Sequence, residues 1–297
     1  MSPRREWSLG DPDHPIRDAP HLEVAHPGTV PKVLFGAGRR PEAFSAPRVA
    51  LVGTRSATPM GLADARELGR YCAHNGITVV SGLAIGIDGA AHEGAIAAGG
   101  LTVGVVATGL DVVYPRRHER LFGRVRGAGV IVGEHPDGTQ PAAWRFPIRN
   151  RIIAALADAV VIVEAANTGG ALHTARYAAQ YGREVLALPA SRRNPVGEGC
   201  NRLIADGALM LLDPSDLLVA LKRGRAGEVG WNCDRPPPSD PDHRSVLRVL
   251  GGDCATTEEL EARSGLPPER LGPTLRALER TGRVTRRRGL WWPAAAE

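Results

Sequence analysis

Lysine is nearly missing from this 297-residue chain: Lys32 and Lys222 are the only two, and arginine supplies almost all of the 37 basic residues. Neither lysine follows a glycine, so the Gly-x-x-x-x-Gly-Lys-Ser/Thr loop of ATPases is absent. No Gly-x-Gly-x-x-Gly lies near the glycine loops at Gly53 and Gly82, which speaks against a dinucleotide cofactor. There is no Gly-x-Ser-x-Gly elbow. Cys72, Cys200, Cys233 and Cys254 lie far apart, with no zinc spacing and no disulfide framework. That usage fits a reducing, cytoplasmic setting. His92, His118, His135 and His173 are scattered and share no metal spacing with carboxylates, so neither metal nor cofactor is expected. No apolar run approaches the ~20 residues of a membrane span. The opening MSPRREWSLGDPDHP has no apolar signal core.

What remains is globular: 43% of residues are hydrophobic. The formal net charge of +5 is compatible with nucleic acid and with much else. An Ala- and Arg-heavy composition alone gives such a surplus, so the positions of the arginines matter more than their number.

The stretch Ile77 to His92, ITVVSGLAIGIDGAAH, carries the pattern that the rest repeats. A short β-branched strand runs into a loop with Ser81, Gly82 and Gly86, and an Ala-rich helix follows, with Asp88 placed to cap it. Such a loop suits a phosphate at the helix N-terminus. It equally suits tight strand-to-helix packing. From Arg48 the alternation continues to about Lys222. Strands are expected at 49–52, 77–80, 102–106, 130–132, 159–163, 184–188 and 208–212. Helices are expected near 61–74, 88–98, 118–126, 147–157, 170–181, 198–206 and 214–221. Strands apolar throughout, each followed by a helix, predict an α/β fold: a doubly wound, Rossmann-like parallel sheet. Right-handed crossovers put the strand-to-helix loops on one edge.

Those loops share a chemistry. They hold Gly53-Thr54-Arg55, Ser81-Gly82 with Gly86, Tyr114-Pro115-Arg116-Arg117, and Thr168-Gly169-Gly170 with Thr174 one turn on. Glycines, hydroxyls and guanidinium groups gathered on one edge point to an anion site. In FPIRNRIIAALA, residues 146–157, Pro147 suits the first helical position. Arg149 and Arg151 then fall in the first turn, where cations oppose the helix dipole. We read this as room for a docked anion rather than a pair of surface salt bridges. Glu134 and Glu164, at strand ends, are the acid/base candidates if the chain is an enzyme.

The segments around this core read differently. Residues 1–47 form a Pro-rich arm with one strand candidate, Val33-Leu34-Phe35; residues 48–222 are the Rossmann-like domain; residues 223–241 are a Gly/Pro/charge linker. Residues 242–297 read as a small C-terminal winged-helix domain. His243–Leu250 is one amphipathic helix. Thr256 to Glu259 is a capping box opening a second helix, which Gly265 ends. Leu271, Leu275 and Leu278 mark a third. Pro273 suggests that the third starts late or bends. A ribbon over 282–292 completes the pattern, and such a module serves DNA or protein contacts.

The ordered motifs resemble the DNA-processing protein A (DprA, or Smf) family from about Pro31 to Leu218. The matching stretches are VGTR at 52–55, SGLAIGID at 81–88 with Ala91-His92, GLD at 109–111 with Tyr114-Pro115, FPIRNR at 146–151, GGALHTA at 169–175, and CNRLI at 200–204. The resemblance implies an extended Rossmann domain that binds single-stranded DNA, forms a homodimer, and brings the RecA recombinase onto incoming strands during natural transformation, without enzymatic activity. Gly53, Thr54 and Arg55 would hold a phosphate, and Ser81, Gly82 and Gly86 would line the same pocket. Arg149 and Asn150 would extend it, and Phe146 would stack on a base. Thr168, Gly169, Gly170 and Thr174 would close the far side. The chain departs from the family in its short Pro-rich N-terminal segment. It also has Thr168-Gly169-Gly170 where many members have Ser-Gly-Ser. Leu203, Ile204, Met210 and Leu211 are candidates for the dimer contact.

Two other classes compete. A phosphoribohydrolase-like enzyme on a related core would need a carboxylate three residues after Thr174, where Tyr177 stands. A winged-helix regulator with a ligand-sensing body would prefer one duplex sequence.

Overall fold

The apolar runs pair as one nine-stranded sheet in a computed structural model, which describes residues 4–225, 240–250, 255–281, 283–287 and 290–293. The first unit, described up to Arg225, runs β1 (Arg4–Ser8), α1 (Ala19–Ala25), β2 (Val33–Gly38), β3 (Arg48–Gly53), α2 (Pro59–His74), β4 (Thr78–Ser81), α3 (Ile87–Ala97), β5 (Thr102–Val106), α4 (Glu119–Ala128), β6 (Gly129–Gly133), α5 (Arg145–Leu156), β7 (Ala159–Glu164), α6 (Ala171–Gln180), β8 (Glu184–Ala187), α7 (Glu198–Ala205), β9 (Leu209–Met210) and α8 (Asp216–Arg225). The strand order is β1-β2-β6-β5-β4-β3-β7-β8-β9. From β6 to β9 all pairings are parallel. The expected α/β doubly wound sheet is therefore present.

Alternation along the strands divides the core. Ala50, Val52, Val80, Val160 and Ile162 face α5 and α6, meeting Ile152, Ile153, Leu156, Ala175 and Ala178. Val49, Leu51, Val79 and Val161 face the other way, against Leu68 and Cys72 of α2, Ala91 and Ala95 of α3 and Leu217 of α8. Both sheet faces are covered, as a parallel sheet requires.

The N-terminal segment holds more than the single strand candidate visible in its sequence. β1 and β2 form a hairpin that extends the sheet antiparallel from β6. β1 escapes a pattern search because RREWS has one inward residue, Trp7, whose ring meets the edge of Phe44 at 5.7 Å. Arg48, 1% exposed, donates to Pro15 O at 2.5 Å and anchors the segment from below. Burial lowers its pKa to about 10.

Helix α5 begins two residues earlier than Pro147 suggested, with Trp144 as N-cap. Pro147 still lies within the first turn, whose N–H groups have no intrahelical acceptor. Arg149 and Arg151 consequently sit in the second turn. Asp88 also departs from expectation. It accepts from the backbone N–H of Gly82 (3.1 Å) and Ala84 (3.4 Å) and so braces the preceding loop, while α3 starts from Gly86 without a side-chain cap.

The second unit contains α9 (Pro241–Leu250), α10 (Thr257–Ser264), α11 (Pro268–Arg280) and an antiparallel ribbon of β10 (Val284–Arg287) and β11 (Leu290–Pro293). The capping box between Thr256 and Glu259 is formed, and Gly265 ends α10 at φ +70°. Leu250, Leu260, Leu271, Leu275, Leu278 and Trp291 share one core. α11 does not start late at Pro273; the proline lies inside it. Pro273 is on the exposed side, where water can satisfy the carbonyl that loses its partner. Residues 226–239 of the expected linker, with Cys233, lie outside the described residues, as do Cys254, Gly282, Arg288 and Gly289. Among the described residues no helix is long and apolar enough to cross a membrane.

Candidate functional site at the carboxyl edge of the sheet

The chain builds β3, β4, β5 and β6 outward in one direction, then returns to place β7, β8 and β9 on the other side of β3. The crossovers above the carboxyl ends of β3 and β7 therefore diverge, and a crevice opens between them. A cavity of about 580 Å³ occupies it. Gly53, Thr54 and Arg55 line it from the end of β3, Phe146, Arg149 and Asn150 from α5, and Gly169, Gly170 and Thr174 from the turn into α6. Ser81, Gly82, Gly86 and Thr168 are not among its lining residues.

These four stand around it in other ways. Ser81 is fully buried, and its hydroxyl donates to Leu51 O at 2.6 Å. Gly82 donates to Asp88 and accepts from Arg149 at 2.7 Å. Gly86, at φ +85°, lies so close to the Thr54 carbonyl that a Cβ there would strike it. Thr168 is exposed beside the turn.

Two buried ionisable side chains, Arg149 and Asp88, lie at the cavity floor. Arg149 Nη1 donates to the carbonyls of Gly82 and Val105, joining the ends of β4 and β5. Its Nε donates to Asn150 Oδ1 at 3.3 Å, and Asn150 Nδ2 donates to Gly170 O at 3.1 Å. Arg149 and Asp88 are 4% and 6% exposed. Burial pulls Arg149 down to about 10 and pushes Asp88 upward, and each opposes the shift of the other. The apolar spacing of α5 puts Arg149 at the edge of the buried arc and so toward the sheet edge, where it lies, but carries no sign of these carbonyl partners.

The mouth is different. Arg55 is exposed, pairs with no carboxylate among the described residues, and lies over the Phe146 ring at 5.2 Å. Tyr114, from the β5–α4 connection, adds a second ring 5.1 Å from Phe146. The Thr54 N–H is committed to Glu164 O at 2.7 Å, and Thr54 Oγ1 accepts from Ser56 N at 3.1 Å. α6 starts from Gly170 with no side-chain cap, leaving the positive end of its dipole at the cavity wall.

The acid/base candidates are engaged elsewhere. Glu134 pairs with Arg151 at 2.5 Å, so Arg151 has a carboxylate rather than a docked anion. Glu164 accepts from Thr58 N (2.8 Å) and Thr58 Oγ1 (2.9 Å), fixing the start of α2. A cation, a helix N-terminus, small-residue turns and adjoining aromatic rings suit a ligand with anionic groups and flat rings.

Comparison with known proteins identifies relatives. The profile of DNA recombination-mediator protein A matches residues 8–222, and that of the DprA winged helix domain matches residues 234–289. The putative DNA processing protein DprA of Mycobacterium tuberculosis is 39% identical over 271 residues, spanning 89% of this chain and 69% of that protein. Protein Smf of Escherichia coli is 37% identical over 245 residues, 79% of this chain and 64% of its own. The X-ray structure of DNA processing protein A from Streptococcus pneumoniae superposes with a TM-score of 0.66 at 34% identity, covering 72% of this chain and 73% of that one. DNA processing protein A from Helicobacter pylori, solved for its single-stranded DNA binding mode, gives 0.63 at 26% identity, covering 75% and 99%.

Proposed function

Since the chain belongs to the DNA recombination-mediator protein A family, we propose that it binds single-stranded DNA along the β3/β7 crevice and catalyses no reaction there. One observation carries this reading: Arg55, Phe146 and the start of α6, far apart in sequence, line a single cavity. A cationic trough with an aromatic platform takes an unpaired strand without regard to sequence.

In this reading Arg55 and the hydroxyl of Thr54 contact a phosphate beside Gly53. Gly169, Gly170 and Thr174 close the opposite wall, with Thr168 at its rim. Phe146 belongs to the base platform. Arg149 and Asn150 hold the floor, and Ser81, Gly82 and Gly86 set the loop that carries Asp88. Residues 48–222 bind the strand, 1–47 brace that domain, 223–241 link, and 242–297 form a module for DNA or protein.

The biological role we infer is that of a cytoplasmic mediator that protects incoming single strands and loads the RecA recombinase on them during transformation. We place a homodimer contact at the β9 edge. Support comes from half-buried Leu203 and Ile204 and from Met210 and Leu212, 46% and 74% exposed; Leu211 is buried in the core.

Titration of labelled oligo(dT) at several salt concentrations tests the reading. Neutralising Z phosphates gives a log K against log salt slope near −0.7Z for single strands. Arg55→Ala is expected to weaken binding and flatten the slope by about 0.7. Equal affinity and slope in both proteins would remove Arg55 from the site.

A further inference from the structure

Phe146 is the aromatic residue that its motif nominates for base stacking, yet two side chains already pack against its ring. The Arg55 guanidinium lies 5.2 Å from its centroid and the Tyr114 ring lies 5.1 Å away at 36°. Phe146 is only partly exposed, with these two neighbours already against its ring. Tyr114 is 41% exposed and lines the same cavity. The more exposed ring of the pair is therefore Tyr114's.

We propose that Tyr114 is the residue on which a DNA base stacks, with Phe146 as the ring behind it that holds both Tyr114 and Arg55 in place. The assignment rests on the single-strand reading above and sharpens it. Two connections and one helix then divide the work. The β3–α2 loop supplies the charge, the β5–α4 loop the outer ring, and α5 the ring that fixes their spacing. A base on Tyr114 leaves the Arg55–Phe146 contact intact, so Arg55 need not release its ring to meet a phosphate. The tilted contact of Tyr114 with Phe146, centroids 5.1 Å apart, lies within the usual range of aromatic pairs and holds the outer ring against its neighbour before DNA arrives.

The experiment uses the full chain and two strands of equal length, oligo(dT) and a matching strand of abasic deoxyribose phosphates. Tyr114→Ala is expected to weaken oligo(dT) binding about fivefold to a hundredfold, with abasic binding unchanged within about twofold. Tyr114→Phe should bind like wild type. Tyr114→Leu, which keeps bulk but has no π-face, should behave like Tyr114→Ala, and unchanged thermal midpoints would exclude misfolding. Equal losses on both strands, full binding by Tyr114→Leu, or no loss in Tyr114→Ala would overturn the assignment while leaving the single-strand reading standing. Failure of the wild type to bind either strand would overturn both.

Discussion

Arg149→Met removes the guanidinium that joins the ends of β4 and β5 beneath the cavity. Two carbonyls, Gly82 O and Val105 O, lose their donor, and each buried acceptor left unpaired costs about 1–3 kcal/mol. Asp88, equally buried, loses the nearby positive charge that offsets its burial. The two acceptors together set an expected loss of about 2–6 kcal/mol, to which the raised cost of ionising Asp88 adds as pH rises. The pH dependence identifies the Asp88 part. Burial already raises the folded-state pKa of Asp88, and removing Arg149 raises it further. A raised carboxyl favours folding below its unfolded pKa and loses that contribution as pH rises through the folded value. The deficit of the variant relative to wild type should therefore be smallest in acid. It should grow with pH, by up to about 1.4 kcal/mol per unit, between the two folded-state pKa values. Asp88→Asn in the same chain should abolish that growth and recover part of the loss. Urea unfolding of wild type, the two single variants and the double variant at several pH values measures it. A loss below about 1 kcal/mol, or one that does not change with pH, would refute the coupling of Arg149 to Asp88.

Three further outcomes follow from the same structure. Gly86→Ala forces a β-carbon into φ +85° and against the Thr54 carbonyl; thermal unfolding should show a loss of at least ~1–2 kcal/mol, with weaker oligo(dT) binding as the loop shifts. His92 is buried and its pKa is lowered to about 3, first by burial and then by His118. Its neutral form favours folding above pH 6.5, and the contribution is lost as pH falls towards 3. The stability slope in that window should flatten in His92→Gln, as read by chemical denaturation. In the second unit, Thr257→Ala strips the acceptor of the Trp291 indole N–H, 3.0 Å away; calorimetry of the whole chain should show that unit losing about 1–3 kcal/mol.

How much of this was legible in the sequence depends on whether the information is local. β3 and β7 announce themselves because VALV and AVVIV are apolar on both faces, and the turn glycines mark where each strand stops. The order of strands then puts those turns at one switch point. β1 is silent because one inward tryptophan makes no periodicity. Arg149 was visible as a cation on α5, but its partners are carbonyls at positions 82 and 105, on two other elements. Asp88 occupies a capping position and bonds backward into the loop instead, because Gly86, not a polar side chain, begins α3. Glu134 and Glu164 sit at strand ends as expected, but their ties to Arg151 and Thr58 depend on packing between elements. Tyr114 had a motif and no role until the β5–α4 connection brought it against Phe146.

The most direct measurement of the central claim is competitive binding of single- and double-stranded DNA of the same length and sequence to the full chain at fixed salt. The account predicts that the single strand displaces the duplex and that Arg55→Ala selectively lowers single-strand affinity. A preference for duplex, or single-strand affinity that survives Arg55→Ala unchanged, would contradict it.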